Sequence, residues 1–149
     1  MIRKHEFNSE WWGGAVGVVQ AEDLMTLSPN EVDAQCAPYA WVEARAVRGS
    51  VMNPHQLNAL GFFHVDTQIR FKVKLRGLVS TPSLDNLQVK FADEAPFSVN
   101  ADDFKAFEAE RFSHLPNCSA DKIKERYALW SKNLIADNSE SCLRVFLDG

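Results

Sequence analysis

Histidine and cysteine side chains are the first candidates for chemistry, because they can hold a metal or act together as base and nucleophile. His114 and Cys118 lie four residues apart, and His64 lies two residues before Asp66. The segment Leu115-Pro116-Asn117 breaks any helix that would put His114 and Cys118 on one face, and no further ligand has a matching spacing. The sequence therefore predicts no metal site. A Cys–His nucleophilic pair between distant residues stays open, although nothing marks any of the three cysteines as activated.

Four basic residues at alternate positions could bind an anion: Arg70, Lys72, Lys74 and Arg76. Such a row could attract a nucleotide diphosphate or an acidic partner. It is also typical of a solvated strand face, on which lysines discourage pairing at the edge of a sheet. The chain has a formal net charge of −4, so we favour the solvated face.

Two groups of aromatic residues could stack against a ring-shaped ligand. The first is Trp11-Trp12, which could form a stacking platform or a buried pair at the start of a strand. The second belongs to an apolar stripe at helical spacing, made of Ile123, Tyr127, Trp130 and Leu134. From the pattern alone we predict that both groups are buried, because large aromatic side chains dominate cores and such a stripe is typical of any packed helix.

Composition limits the class of protein. The 149 residues are 46% hydrophobic and include ten phenylalanines. That suits one domain, or a small domain and part of another, with roughly 68–70% of the unfolded surface buried on folding. The acidic balance argues against a nucleic-acid binder, and no apolar run approaches the roughly 20 residues of a membrane span. The charged start argues against a signal peptide, and an odd number of cysteines is typical of reduced thiols in the cytoplasm.

Caps and alternating patterns predict an α/β fold for the first half of the chain. Ser28 and Glu31 form a capping box around Pro29, which predicts the start of a helix. Asn53 followed by Pro54 predicts the start of a second helix in the same way. Strands that alternate with helical crossovers predict a sheet of the α/β class. We therefore predict a small three-stranded β-α-β-α-β domain over residues 1–76. Its elements are a strand at 15–20, a helix from Ser28 that ends before Pro38, a strand at 39–47, a helix from Asn53 closed by Gly61, and a strand at 62–75.

The second half predicts a linker and then the start of another domain. Serine, threonine and proline residues indicate a linker at 77–97, which includes a short strand at Leu87–Phe91. Asn100 and Ser119 are suitable N-caps for two helices, and a strand follows at Cys142–Leu147. The order α-α-β over 98–149 is how a domain starts rather than how it finishes.

The end of the chain predicts an unpaired strand. Asp148-Gly149 follows the strand at 142–147 directly, and this dipeptide favours a tight two-residue hairpin turn. No second strand follows, and an unpaired strand has open backbone donors and acceptors. We therefore expect either a missing C-terminal portion or a homo-oligomer that completes the sheet.

Four short segments carry a family resemblance, in the right order: Asn8–Gly13, Leu57–Val65, Arg111-Phe112 and Tyr127–Asn133. They are similar to an opening aromatic-aromatic-glycine element, a Leu-Gly-Phe passage from helix to strand, an Arg-Phe pair after the first helix of the second domain, and a Tyr-x-x-Trp-x-x-Asn pattern on its second helix. Through these segments the chain resembles the dTDP-fucosamine N-acetyltransferases, which are sugar-nucleotide members of the GNAT superfamily.

The resemblance implies the N-terminal part of an enzyme that moves acetyl from acetyl-CoA to an amino-sugar nucleotide. It implies that the acceptor is bound by Arg111, Phe112, Tyr127, Trp130 and Asn133, since sugar rings stack on aromatic faces and an amide bonds to hydroxyls in both senses. Family members bind the pyrophosphate of the cofactor on a loop of the type Arg-x-x-Gly-x-Gly/Ala that opens a helix. No such loop occurs here. The resemblance therefore implies truncation before the acetyl-CoA site, and it leaves the catalytic residues unassigned.

Two functions of other classes stay open. The chain could be a non-catalytic remnant or interaction protein that completes its sheet by strand pairing in a dimer, since strand addition at a sheet edge is a known binding mode. It could also be a small-molecule binding module that uses its tryptophan and tyrosine surfaces without transfer chemistry.

Overall fold

The structure is a computed structural model that describes residues 1–47, 49, 52–69, 71, 87–105 and 110–147. The chain separates into two compact units, Met1–Val65 and Asp66–Gly149. The described residues form helices and two small sheets, so the fold is mixed α/β, as the sequence predicts. No helix among them is both long and apolar enough to cross a membrane.

The first unit is built on a three-stranded sheet and has a short helix, α1 (Glu6–Trp12), near its start. Its strands are β1 (Arg3–Lys4), β2 (Val16–Gln20) and β3 (Trp41–Arg45), with β2 in the centre. β1 runs antiparallel to β2, and β3 runs parallel to it. Parallel neighbours need a crossover connection, and the connection here contains α2 (Pro29–Cys36). The predicted β-α-β order of this region is therefore confirmed.

Local caps set two helices of this unit, α2 and α3, where the sequence predicts them, whereas α1 is not among the predicted helices. In α2, Ser28 Oγ accepts from the Glu31 backbone N–H, and Glu31 Oε2 accepts from the Ser28 N–H at 2.8 Å. α3 (Pro54–Ala59) has the same reciprocal box between Asn53 and Gln56. Gly61 follows α3 with φ of 86°, a left-handed conformation that glycine adopts without a Cβ clash.

The core of the first unit lies around β2, α2 and the segment before α3. Its buried apolar residues are Ile2, Val19, Ala21, Leu24, Val32 and Met52. Gly17 in β2 makes room for this packing, since a Cβ there would lie 2.7 Å from Ile2 Cγ2 and 3.1 Å from Val42 Cγ2. The missing side chain lets the residue ahead of β1 pack against the central strand.

The predicted strand at 62–75 is wrong for the residues that the structure describes. Residues 62–69 and 71 are not in a strand, and Ile69 and Phe71 are exposed. Alternation gives a segment the pattern of a strand but supplies no neighbour to pair with it. The third strand of the sheet is instead β1, whose two residues are too few to show any period. The rest of the predicted strand lies outside the described residues, and so do Arg70, Lys72, Lys74 and Arg76.

The second unit contains an antiparallel strand pair. β4 (Leu87–Phe91) pairs with β5 (Leu143–Leu147), with Leu87 opposite Leu147 and Phe91 opposite Leu143. Both strands lie where the sequence predicts them. The expectation that the last strand is unpaired is wrong, because a strand within the predicted linker pairs with it. The division into 1–76, 77–97 and 98–149 otherwise stays a prediction.

One long helix organises the rest of the second unit. α4 (Ala120–Asp137) starts at Ser119, whose Oγ accepts from the Lys122 N–H at 3.1 Å, as predicted. It packs against short 3₁₀ turns at 101–103 and 111–114. The helix predicted after Asn100 is only the first of these turns within the described residues, because the backbone at Phe104 is extended.

Candidate functional site

The aromatic stripe of α4 passes from the interior to the surface. Ile123 is buried, Tyr127 is half-buried, and Trp130 is 48% exposed. The prediction that the whole stripe is core therefore fails at Trp130 and also at Leu134, which is 38% exposed. The Tyr127 and Trp130 rings meet edge to face, with centroids 6.4 Å apart, an arrangement that aromatic pairs favour. An exposed indole ring beside a half-buried phenol is a surface against which a flat or ring-shaped ligand can stack.

Phe112 anchors the 111–114 turn against α4. Its side chain is only 3% exposed. The guanidinium carbons of Arg111 and Arg126 lie 4.7 and 4.3 Å from the centre of its ring. Cations at this distance are attracted to the face of an aromatic ring, so the ring of Phe112 holds two arginines, one from the turn and one from the helix.

The carboxylate of Glu110 joins the turn to α4. Its Oε2 accepts a hydrogen bond from the Phe112 backbone N–H at 2.5 Å, and its Oε1 accepts one from the Tyr127 hydroxyl at 3.4 Å. Glu110 is the N-cap of the 3₁₀ turn. One side chain thus fixes both the start of the turn and the phenol of Tyr127.

The environment of Tyr127 keeps its hydroxyl protonated. Burial raises the pKa of the phenol first, and the negative charge of Glu110 raises it further, although Arg126 and Arg111 act in the opposite direction. Tyr127 also stacks on Phe104, with ring centroids 5.9 Å apart. The single hydroxyl proton is donated to Glu110, so a ligand meets the phenol oxygen as an acceptor, and the raised pKa makes Tyr127 a poor general base at neutral pH.

The five residues that the resemblance implies for the acceptor share the second unit. Phe112 and Tyr127 both donate to Glu110, and Arg111 lies over the ring of Phe112. Trp130 joins them through its contact with Tyr127. Asn133 lies three residues farther along α4 and is exposed. Arg111 is partly exposed and approaches Asp66, with 3.7 Å between Nη1 and Oδ2. Their role in binding an acceptor stays a prediction.

Three contributors to this cluster are not among the residues that the sequence singles out for binding: Glu110, Arg126 and Phe104. Glu110 immediately precedes the Arg-Phe pair, but glutamate is not among the residues favoured at an N-cap, so the sequence gives no signal for its role. Arg126 lies next to Tyr127 but is not part of the apolar stripe, so hydrophobic periodicity gives no signal for it. Phe104 is brought to Tyr127 only by the tertiary fold.

The other sequence candidates are less suited to binding or catalysis. Trp11 and Trp12 end helix α1 rather than start a strand. Trp11 is buried, as predicted, whereas Trp12 is half-buried and lies edge to face with Trp41 at 6.0 Å. Burial raises the pKa of the Cys118 thiol, and Glu110 raises it further. The pKa of Cys36 is raised mainly by burial as well. Both thiols are therefore held away from the thiolate form that a nucleophile needs.

Among the residues that the structure describes, the helix starts do not fit the pyrophosphate of acetyl-CoA. At the start of each of these four helices, α1 to α4, one amide donor already bonds to a side chain: those of His5, Ser28, Asn53 and Ser119. α4 also has Asp121 in its first turn, and a carboxylate there opposes the binding of a phosphate. None of these helices follows a glycine-rich loop.

The comparisons with known proteins leave the family open. No protein-family model matches the chain, and neither a curated protein nor a solved structure is significantly similar to it. The interpretation of the site therefore depends on its own residues and geometry.

Proposed function

We propose that the second unit binds the acceptor of an N-acetyltransferase, an amino-sugar nucleotide, at the surface formed by Glu110, Arg111, Tyr127 and Trp130. The observation that carries the proposal is the exposure of Trp130 beside Tyr127, whose hydroxyl is held by Glu110. The family resemblance of the Arg-Phe and Tyr-x-x-Trp-x-x-Asn segments supports the choice of ligand. The proposal gives this chain no part of an acetyl-CoA site and assigns no catalytic residue.

The sugar, the diphosphate and the amino group of the ligand each have a matching side chain. The face of Trp130 offers a stacking surface for the sugar ring, and the amide of Asn133 offers both a donor and acceptors to its hydroxyls. Arg111 is suited to the diphosphate, because a planar guanidinium binds phosphate oxygens through two parallel hydrogen bonds. The carboxylate of Glu110 is suited to the amino group of the sugar, which is positively charged before transfer.

The test is a calorimetric titration of the chain with three ligands: a dTDP-linked amino sugar, dTDP alone and acetyl-CoA. We expect binding of the amino-sugar nucleotide, weaker binding of dTDP and no binding of acetyl-CoA. Binding of acetyl-CoA would overturn the statement that this chain lacks a cofactor site. Absence of binding by both nucleotides would overturn the proposal of an acceptor site.

The proposal includes a location in the cytoplasm. The three cysteines, Cys36, Cys118 and Cys142, are free thiols in the structure, which supports a reducing compartment.

A further inference from the structure

We propose that a second copy of this chain pairs with the outer edge of β5, so that the two β4–β5 pairs form one antiparallel four-stranded sheet. The inference is independent of the proposed acceptor site, because β4 and β5 contribute no residue to that site. It depends on three features of the strand pair: an exposed apolar face, the direction of its backbone groups, and the order of residues along β5.

The strand pair has one apolar face that is open to solvent. The register places every apolar residue of the two strands except Phe146 on that face. The exposed fraction of four of them lies between 37% and 51%: Val89, Phe91, Leu143 and Val145. A two-stranded sheet is marginally stable by itself, whereas three or more strands with an apolar face can be stable. Exposed apolar patches of this kind mark interaction surfaces.

The backbone of β5 is directed to accept another strand. The Ala92 N–H donates to the Cys142 carbonyl at 2.9 Å, which makes these opposite residues a hydrogen-bonded pair. In an antiparallel ladder such pairs alternate with pairs whose backbone groups point outward. The N–H and C=O groups of Leu143, Val145 and Leu147 therefore point away from β4. Within the part of the chain that the structure describes, no third strand joins this sheet.

The sequence of β5 is complementary to itself about Val145. If two copies of β5 pair antiparallel with Val145 opposite Val145, all five residues of each strand have a partner. Leu143 then lies opposite Leu147 of the second copy, and Arg144 lies opposite Phe146 of the second copy. In the single chain the Arg144 guanidinium already lies 5.3 Å from the centre of the Phe146 ring. A pair centred on Arg144 would instead place two like charges opposite each other, which is destabilising.

These features favour a second copy of this chain over a different protein as the partner of β5. The pairing satisfies the outward backbone groups of both strands at once, as a two-fold symmetric interface requires. It also increases the sheet from two strands to four. Apolar side chains of the two paired β5 strands then contact each other and shield each other from solvent. The opposite face of the sheet carries Lys90 and Arg144 beside Phe146, so it keeps its charges in solvent.

The test is the mass of the full chain by light scattering, in the wild type and in a matched pair of proline variants. Val145→Pro removes an outward donor at the centre of β5 and no hydrogen bond to β4, and Val89→Pro removes the equivalent outward donor of β4. We expect twice the chain mass of 16.8 kDa for the wild type and for Val89→Pro, and the single mass for Val145→Pro.

A second pair of variants covers the case in which proline unfolds the strand pair. Val145→Lys places two ammonium groups opposite each other at the centre of the interface, and Val89→Lys places the same charge on β4. We expect Val145→Lys to be a monomer and Val89→Lys to be a dimer, both with the circular dichroism of the wild type. A monomeric wild type would overturn the inference, and so would a Val145→Lys dimer or two equally monomeric lysine variants.

Discussion

Tyr127 donates its hydroxyl hydrogen bond to Glu110 across 17 residues of sequence, from α4 to the residue that caps the 111–114 turn. The same carboxylate holds the Phe112 N–H. Glu110 is therefore the point at which the turn, the buried ring of Phe112 and the aromatic side of α4 are fixed together. The exposed Trp130 is positioned by this arrangement, since its ring contacts that of Tyr127.

Tyr127→Phe removes the hydroxyl and keeps the ring. We expect a loss of about 0.5–1 kcal/mol in the free energy of unfolding, because a half-buried hydrogen bond of 3.4 Å belongs at the weak end of the usual range. The stacking on Phe104 is retained. Unfolding in urea measures the loss, and an unchanged midpoint would show that the Glu110 contact contributes nothing to stability.

Glu110→Gln lowers the pKa of Tyr127 toward its ordinary value, because it removes the negative charge that raises the pKa after burial. Ultraviolet titration of the phenolate measures this change. The chain has two tyrosines, so Tyr127→Phe identifies the signal of Tyr127. A pKa of Tyr127 that is the same in the wild type and in Glu110→Gln would contradict the assigned cause.

The raised pKa of Tyr127 also predicts how stability depends on pH. The contribution of the phenol is complete below the pKa of the unfolded chain, about 10. It is lost as pH rises through the higher pKa of the folded state, because the folded chain then holds a proton that the unfolded chain has released. Urea unfolding between pH 8 and 11 should show this decrease, and Tyr127→Phe should lack it.

Phe112→Ala opens a cavity in the second unit. We expect a loss of about 3–5 kcal/mol, as for other buried phenylalanines, because the side chain is 3% exposed and holds two arginines. Phe63→Ala is the matched control, since Phe63 is exposed and should change stability by less than about 0.5 kcal/mol. Equal losses for the two variants would contradict the assigned core position of Phe112.

Ser28→Ala raises the pKa of Glu31. Hydrogen bonds from the Ser28 side chain and backbone hold that pKa below its ordinary value, so the stability linked to Glu31 is present at neutral pH and is lost as pH falls through the lowered pKa. Titration of the Glu31 carboxyl carbon by NMR measures the change. Ser119→Ala, which removes the cap of α4, should leave the titration of Glu31 as it is in the wild type.

The structural features that could be predicted from the sequence are those with local causes. α2 and α3 begin where Ser28 and Asn53 are followed by proline, because a cap and its partner are three residues apart. The strand at 62–75 has an equally clear pattern, but strand formation needs a neighbour. The pairing of β4 with β5 joins residues more than 50 positions apart, a distance at which sequence pattern carries no information about the partner.

The same limit applies to the candidate site. Helical spacing identifies Tyr127 and Trp130 as neighbours on one face of α4, and the structure places their rings in contact. The pattern could not indicate that burial ends between them, because that depends on what the 101–103 and 111–114 turns cover. It also could not assign Glu110 its double role, since the Tyr127 hydroxyl reaches it only in the folded unit.

The central claim is that the surface around Trp130 binds a nucleotide-linked amino sugar. The most direct measurement is the calorimetric Kd of a dTDP-linked amino sugar for the wild type, Trp130→Ala and Phe63→Ala. We expect Trp130→Ala to weaken binding by about tenfold or more, equivalent to about 1.4 kcal/mol, and Phe63→Ala to bind as the wild type does. Equal affinity in all three proteins would contradict the claim.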